Sequence, residues 1–314
     1  MKLISICIPC YNEEKNIPIL LEQIFASIND LKYDFEIIFT DNDSSDGTVE
    51  VLSKFAEADS RVKVLVNNRN YGIDGRSGRN TFKYVNGEAV ICMAADCQDP
   101  PELIPKFLEY WEQGYKVVCG QKEGSEEGII KYKLRSIYYN IIARLSEIPQ
   151  IKHISGITLL DKEVINEWLK TDYDYYLRFA LADMGYDIKL VPYIQRARKN
   201  GKSSYNMWKS LTFAINSMVT TSTTPIRMIT ILGLLLAIAT FLIGVVYLIM
   251  KMVYWHAYPA GTAPILIGMF FLGAIQLFML GIIGEYIGII LKKVTRQPNV
   301  IIKKKINIKD DDKE

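Results

Sequence analysis

Short apolar runs alternate with helically spaced ones over the first 120 residues. Residues 3–8 form an Ile-rich run that reads as a buried strand. Ile17, Leu20, Leu21, Ile24, Phe25 and Ile28 then recur at helical spacing, with Pro18 in the first turn and Asn16 as the expected cap. Residues 35–40 repeat the strand pattern, residues 43–47 read as a turn, and Thr48 leads a helix to about Ala58. Residues 62–66, 89–94 and 115–119 are further strands. Helices are expected over 78–85 and, behind Pro100 and Pro101, over 102–111. Strict alternation of strand and helix predicts an α/β fold, with a twisted, mostly parallel sheet and helices on both faces. Such sheets bind ligands at the carboxyl ends of their strands.

The pattern changes near residue 226. Residues 228–250 carry no charge and lie between Arg227 and Lys251. Residues 264–291 form a second such run, interrupted by Glu285 alone. At about 1.5 Å per residue the first spans roughly 34 Å, enough for a bilayer core of about 30 Å. The link over 252–263 has neither Lys nor Arg, and its Tyr254, Trp255 and Tyr258 suit an interfacial belt. Lys292, Lys293, Arg296, Lys303, Lys304 and Lys305 follow the second run. The positive-inside rule therefore expects two transmembrane helices, both termini in the cytoplasm and the link outside. The opening apolar run is too short, and too soon followed by Glu13 and Glu14, for a signal peptide. The expected plan is a soluble domain over 1–205, a juxtamembrane amphipathic segment over 206–226, a membrane hairpin over 227–291 and a basic tail over 292–314.

Lys and Arg number 37 against 35 Asp and Glu, so nucleic acid is a poor partner for a chain of net charge +2. The 49% hydrophobic content excludes global disorder. Disulfides are not expected among the five cysteines of a cytoplasmic domain. Cys7 and Cys10 have redox spacing but end a strand-like run, so they read as small buried hydrophobes. Gly72, Gly75 and Gly78 do not have the dinucleotide-loop spacing.

Polar residues follow three of the strands. Pro9, Tyr11, Asn12 and Glu13 come after the first, Asp41, Asn42, Asp43 and Asp46 after the second, and Asp96, Gln98 and Asp99 after the fourth. Carboxylates gathered at one sheet edge repel unless a positive charge sits among them. A hard divalent cation with oxygen ligands, shared with nucleotide phosphates, accounts for the set. The alternative is solvated loop acids and helix caps, which is the reading preferred for Asp46 and Asp99.

Three segments, Ile6 to Glu14, Phe39 to Thr48 and Ala95 to Glu102, together resemble the signatures of family 2 glycosyltransferases with the GT-A fold. The likeness is strongest to membrane-anchored members that load one sugar onto a polyprenyl phosphate. Arg196 to Ser203 is similar to that group's R-x-x-G-x-S segment, and Gly281 to Gly288 to the end of its second membrane helix. The resemblance implies that Pro9, Tyr11, Asn12, Glu13 and Asp41 hold a nucleotide sugar, UDP-linked by expectation. It implies that Asp96 and Gln98 bind Mg²⁺ or Mn²⁺. Two positions depart from the family pattern: Ala94 and Asn42 stand where acids are common. Gly156 is followed by Ile157 and Thr158, so no base is nominated there.

A general base is not required for this chemistry. A phosphate monoester is ionised at neutral pH, with its second pKa near about 6, and can attack the anomeric carbon itself. The protein must hold the anionic acceptor, for which Arg196, Arg198, Lys202, Ser203 and Arg135 are candidates. Asp96 and Arg198 are the expected catalytic residues, and displacement with inversion is the expected course. Attraction of the basic segment to lipid headgroups is an alternative role. The expected function is sugar transfer to undecaprenyl phosphate or a similar carrier at the cell membrane, for wall or surface-polysaccharide glycosylation. A processive polysaccharide synthase would carry a Q-x-x-R-W segment, which the sequence lacks; a non-catalytic scaffold is the third reading. Gly284 and Gly288 make a G-x-x-x-G that is compatible with self-association.

Overall fold

The computed structural model describes residues 1–72, 76–125, 154–171, 181, 183–196, 224–254, 262–294 and 300–308. Strand β1 (Leu3–Cys10) is followed by helix α1 (Ile17–Ile28), β2 (Asp34–Asp41), α2 (Thr48–Ala58), β3 (Val62–Asn67), α3 (Arg76–Thr81) and β4 (Ala89–Cys92). A 3₁₀ turn at Pro101–Leu103 leads into α4 (Ile104–Glu112), then β5 (Val117–Ser125), β6 (Ile154–Asp161), α5 (Lys162–Lys170) and β7 (Ile188–Gln195). Two long helices, α6 (Thr224–Val253) and α7 (Thr262–Val294), precede a last strand, β8 (Ile302–Ile306).

The strands form one sheet in the order β7-β5-β6-β4-β1-β2-β3-β8. Its centre, β4-β1-β2-β3, is parallel, as the alternating pattern predicts. These strands are buried nearly throughout, which suits a parallel sheet covered on both faces. Period-two alternation sorts β1 between two cores. Ile4, Ile6 and Ile8 pack with Leu20, Leu21 and Ile24 of α1, whereas Cys7 faces Phe82, Val90 and Trp168 on the other side. Cys10 belongs to the first core and Cys7 to the second, so the C-x-x-C pair is split across the sheet. Burial pushes the thiols of both cysteines up, Cys7 and Cys10 alike.

β6 was not foreseen. It inserts antiparallel between β4 and β5, so the sheet is mixed beyond its parallel centre. The basic tail also differs from expectation, since β8 pairs antiparallel with β3. Lysines at three successive positions do not alternate with apolar residues, so no period of two is readable there. Ile302 and Ile308 pack on the second core and Ile306 on the first, and the Asn307 side chain donates to the carbonyls of Ala56 and Val62 at 2.6 and 2.9 Å. Asn16, expected as a cap, makes no capping bond; its amide turns back to Glu13 instead.

Gly87 has a packing reason. A Cβ there would lie 2.6 Å from both the backbone nitrogen and the Oγ of Ser5. Backbone cannot give way as a flexible side chain does, so Gly87→Ala is expected to cost about 1–3 kcal/mol, read from the shift in the unfolding midpoint.

By contact the chain divides into two compact units, one containing the sheet and the other α6 and α7. Among the described residues, the window Phe271–Gly288 of α7 is long and apolar enough to cross a membrane. α6 is 30 residues long and leaves Ile231, Leu234, Leu235 and Ile243 exposed. Within this unit a Cβ on Gly233 would sit 3.5 Å from Cε of Met279, a close approach of α6 to α7.

Candidate active site

The parallel strands bring the loops after β1, β2 and β4 to one edge, where the three polar segments were expected. Cys10 and Asp41 are register partners at the ends of β1 and β2. Asp41 is fully buried. Its Oδ1 accepts from Ser44 Oγ at 2.5 Å and its Oδ2 from Ser44 N–H at 3.0 Å. Burial pushes its carboxyl above the usual range, although the Ser44 bonds oppose this. Glu13 is also buried, with Asn16 Nδ2 donating to its Oε2 at 2.5 Å and its N–H donating to Thr48 Oγ1 at 2.9 Å. Cys10 Sγ lies 4.0 Å from Asp41 Oδ1, and the charges of Asp41, Glu13 and Asp46 add to burial in pushing its thiol up.

The first two loops are laced together. Asn12 N–H donates to Ser44 Oγ at 2.8 Å, and Asn12 Oδ1 accepts from Ser45 N–H at 2.8 Å. Asp46 Oδ1 accepts from Thr48 N–H at 3.0 Å, the turn-and-cap role read for it. Asn12, Asp43 and Cys97 each have positive φ, one after each site strand. Left-handed backbone in non-glycine residues persists where the surroundings over-determine it, and it gathers at functional sites. Pro9 and Tyr11 are exposed beside this group, Tyr11 at 41%.

Asn42 shows why an acid is absent there. Its Oδ1 accepts from Tyr71 N–H at 3.0 Å and Asn67 Nδ2 at 3.2 Å. Its Nδ2 donates to Asn70 Oδ1 at 3.0 Å and to the Gly72 carbonyl at 3.2 Å. A carboxylate could supply the acceptor but neither donor, so the amide is what organises residues 67–72.

A second group follows β4. Burial alternates here, with Met93, Ala95, Cys97 and Asp99 inward and Asp96 and Gln98 partly open. Gln98 N–H donates to Asp96 Oδ1 at 3.2 Å. Asp99, read as a solvated acid, is instead 3% exposed. Tyr193 of β7 donates to its Oδ1, and a Cβ on Gly156 of β6 would lie 3.0 Å from its Oδ2. Burial pushes the Asp99 carboxyl up, against the Tyr193 bond and the Lys122 charge. Tyr193 and Lys122 were not foreseen: no motif marks them, and their partner lies on a distant segment.

Arg196, at the end of β7, meets the Asp96 loop. Its N–H donates to the Gln98 carbonyl at 3.1 Å, and Gln98 Nε2 donates to the Arg196 carbonyl at 3.4 Å. The Arg196 guanidinium pairs with Glu102 at 3.1 Å. Arg135, Arg198, Lys202, Ser203 and the amphipathic segment of 206–226 lie outside the described residues. Among the described residues no three His, Cys, Asp or Glu side chains cluster as a complete metal cage. Asp96 with Gln98 instead offers one carboxylate and one amide oxygen, an oxygen-donor pair that suits Mg²⁺ or Mn²⁺ when phosphates and water complete the shell.

Residues 5–169 match the family model described as glycosyl transferase family 2. The chain is 31% identical to the putative glycosyltransferase CsbB of Bacillus subtilis (strain 168), over 96% of this chain and 91% of that protein. It is 31% identical to the SfII prophage-derived bactoprenol glucosyl transferase of Shigella flexneri, over 96% of this chain and 97% of that protein. Among solved structures it superposes on glucosyl-3-phosphoglycerate synthase from Mycobacterium tuberculosis in complex with Mn²⁺, UDP and phosphoglyceric acid. That match has a TM-score of 0.52 and 18% identity, covering 70% of this chain and 77% of that one. The likeness is one of fold.

Proposed function

The chain belongs to glycosyl transferase family 2 and is a glycosyltransferase of GT-A fold, and we propose that it moves one sugar from a UDP-sugar to the phosphate of a polyprenyl carrier. The observation that supports this most is the two-way bond between Gln98 and Arg196. It joins the loop assigned to the donor diphosphate to the first residue of the basic segment assigned to the acceptor phosphate. The name of the Shigella relative, a bactoprenol glucosyl transferase, favours the same acceptor class and makes glucose the first sugar to try.

In this reading Pro9, Tyr11, Asn12, Glu13 and Asp41 hold the nucleotide. Asp96 and Gln98 hold Mg²⁺ or Mn²⁺. The bound ion supplies positive charge against the diphosphate as it leaves. Arg196, Arg198, Lys202, Ser203 and Arg135 receive the acceptor phosphate, which displaces Glu102 from Arg196 on arrival. The ionised phosphate oxygen attacks the anomeric carbon, the bond from that carbon to the diphosphate breaks, and configuration inverts. No residue has to take a proton. α6 joins α7 as a second span of the cell membrane, with the catalytic domain and both termini on the cytoplasmic side. The carrier-linked sugar then serves wall or surface-polysaccharide glycosylation.

Membranes containing the full chain, given undecaprenyl phosphate and a panel of radiolabelled nucleotide sugars, test this. The expected outcome is chloroform-extractable label from one UDP-sugar, lost on EDTA treatment and restored by Mn²⁺ or Mg²⁺. Label in a long water-soluble polymer alone would favour a processive synthase.

A further inference from the structure

β8 lies against the loop that borders the nucleotide group. At its near end, Asn68 N–H donates to the Ile301 carbonyl at 3.0 Å. Ile301 N–H donates to the Tyr71 hydroxyl at 2.9 Å, and that hydroxyl donates to Asn68 Oδ1 at 2.7 Å. Tyr71 is 4% exposed, and the Arg69 guanidinium sits 4.2 Å from its ring centroid. The Tyr71 N–H in turn donates to Asn42 Oδ1, and Asn42 N–H to the Cys10 carbonyl at 3.0 Å. Asn42 adjoins Asp41. Hydrogen bonds joined through the covalent frames of Tyr71 and Asn42 therefore link residue 301 to the ends of β1 and β2. The far end of β8 is pinned separately by Asn307.

We propose that β8 is a positioning element of the nucleotide site, acting through the Tyr71 hydroxyl and Asn42 on the loop of residues 67–72 and on Asp41. The inference rests on the reading of Asp41 as a nucleotide-binding residue. Tyr71 is a positioning residue, because its hydroxyl is consumed by Asn68 and Ile301 and has no remaining donor for a ligand. A strand separated in sequence from the sheet by two long apolar helices thus helps to set donor affinity.

The test compares wild type with Tyr71→Phe and Ile301→Pro, each as the full chain in detergent, for UDP binding in the presence of Mn²⁺. Tyr71→Phe keeps the ring and loses the hydroxyl. Ile301→Pro keeps the phenol and loses the N–H that reaches it, in a position just outside the paired strand. Each variant is expected to weaken UDP binding about five- to tenfold, the usual worth of one or two hydrogen bonds. The UDP-sugar KM should rise by the same factor, while kcat and the polyprenyl phosphate KM stay within about twofold. A merely structural role would lower the active fraction, and so kcat, without that split. Should Tyr71→Phe fail to fold, Ile301→Pro decides. Wild type that binds UDP while both folded variants bind it equally well overturns the inference alone. Wild type that binds no UDP overturns the nucleotide reading and this inference together.

Discussion

Asp96→Ala is expected to lower sugar transfer at least about a thousandfold, through kcat more than through either KM. In the proposed site the carboxylate is the one full negative charge of the Asp96 and Gln98 pair, and without it a divalent ion would be held too weakly to balance the charge of the diphosphate. The alanine also deletes the acceptor for Gln98 N–H. Asp96→Asn separates these effects, since an amide oxygen still accepts that bond but carries no charge. Both variants should be equally inactive, and the half-exposed position should leave the unfolding midpoint nearly unchanged. Near-normal transfer by Asp96→Asn would remove Asp96 from the metal assignment. Retained EDTA sensitivity in that variant would point to other ligands.

A second large effect is expected at the opposite end of the sheet. Glu36 is 3% exposed. Lys63 Nζ donates to it at 2.6 Å, Ser5 Oγ at 2.5 Å and Asn86 N–H at 2.7 Å. Burial alone would push its carboxyl up, but the bonds from Lys63, Ser5 and Asn86 outweigh it and hold the group below its ordinary range. Lys63→Met leaves a buried carboxylate without its cation and is expected to cost about 3 kcal/mol, measured as the shift in the unfolding midpoint at pH 7. Glu36→Gln should cost less, because Lys63 is 21% exposed and can turn to water.

The pH dependence has a definite sign. A carboxyl with a depressed folded pKa contributes its stability above the unfolded value of 4.5 and loses it as pH falls through the folded one. The gap between wild type and Lys63→Met should therefore narrow below pH 4.5 and be widest near neutrality. A gap that stays constant from pH 3 to pH 7 would show that the ion pair is not its source.

Most of the parallel centre was legible because its strands are short runs rich in Ile and Val and because α1 and α2 carry apolar stripes, whereas α3 has none. α1 and α2 occur where the periodicity places them, and the polar residues fall at the carboxyl edge as topology requires. What was not legible depends on partners far along the chain. β6 is antiparallel, an option that strict alternation of strand and helix does not anticipate. β8 looks like a charged tail because an edge strand at the end of a lysine run has no alternating signature. Asp99 looks like a loop acid until Tyr193, 94 residues away, is seen to cover it. Asn42 stands where the family pattern has an acid, and its four bonds to residues 67–72 give it a task that an acid could not perform. Arg196 is singled out by its motif alone, whereas its attachment to Gln98 was not legible.

The position of β8 in the chain also sets an order of assembly. Translation at about 5–20 residues per second puts roughly ten to fifty seconds between the completion of β3 and the emergence of its edge partner. Through that interval the two greasy helices are made, and the β3 edge stays open with Tyr71 lacking its last donor. The loop of residues 67–72 therefore gains its last hydrogen-bond partner only after α6 and α7 have been made.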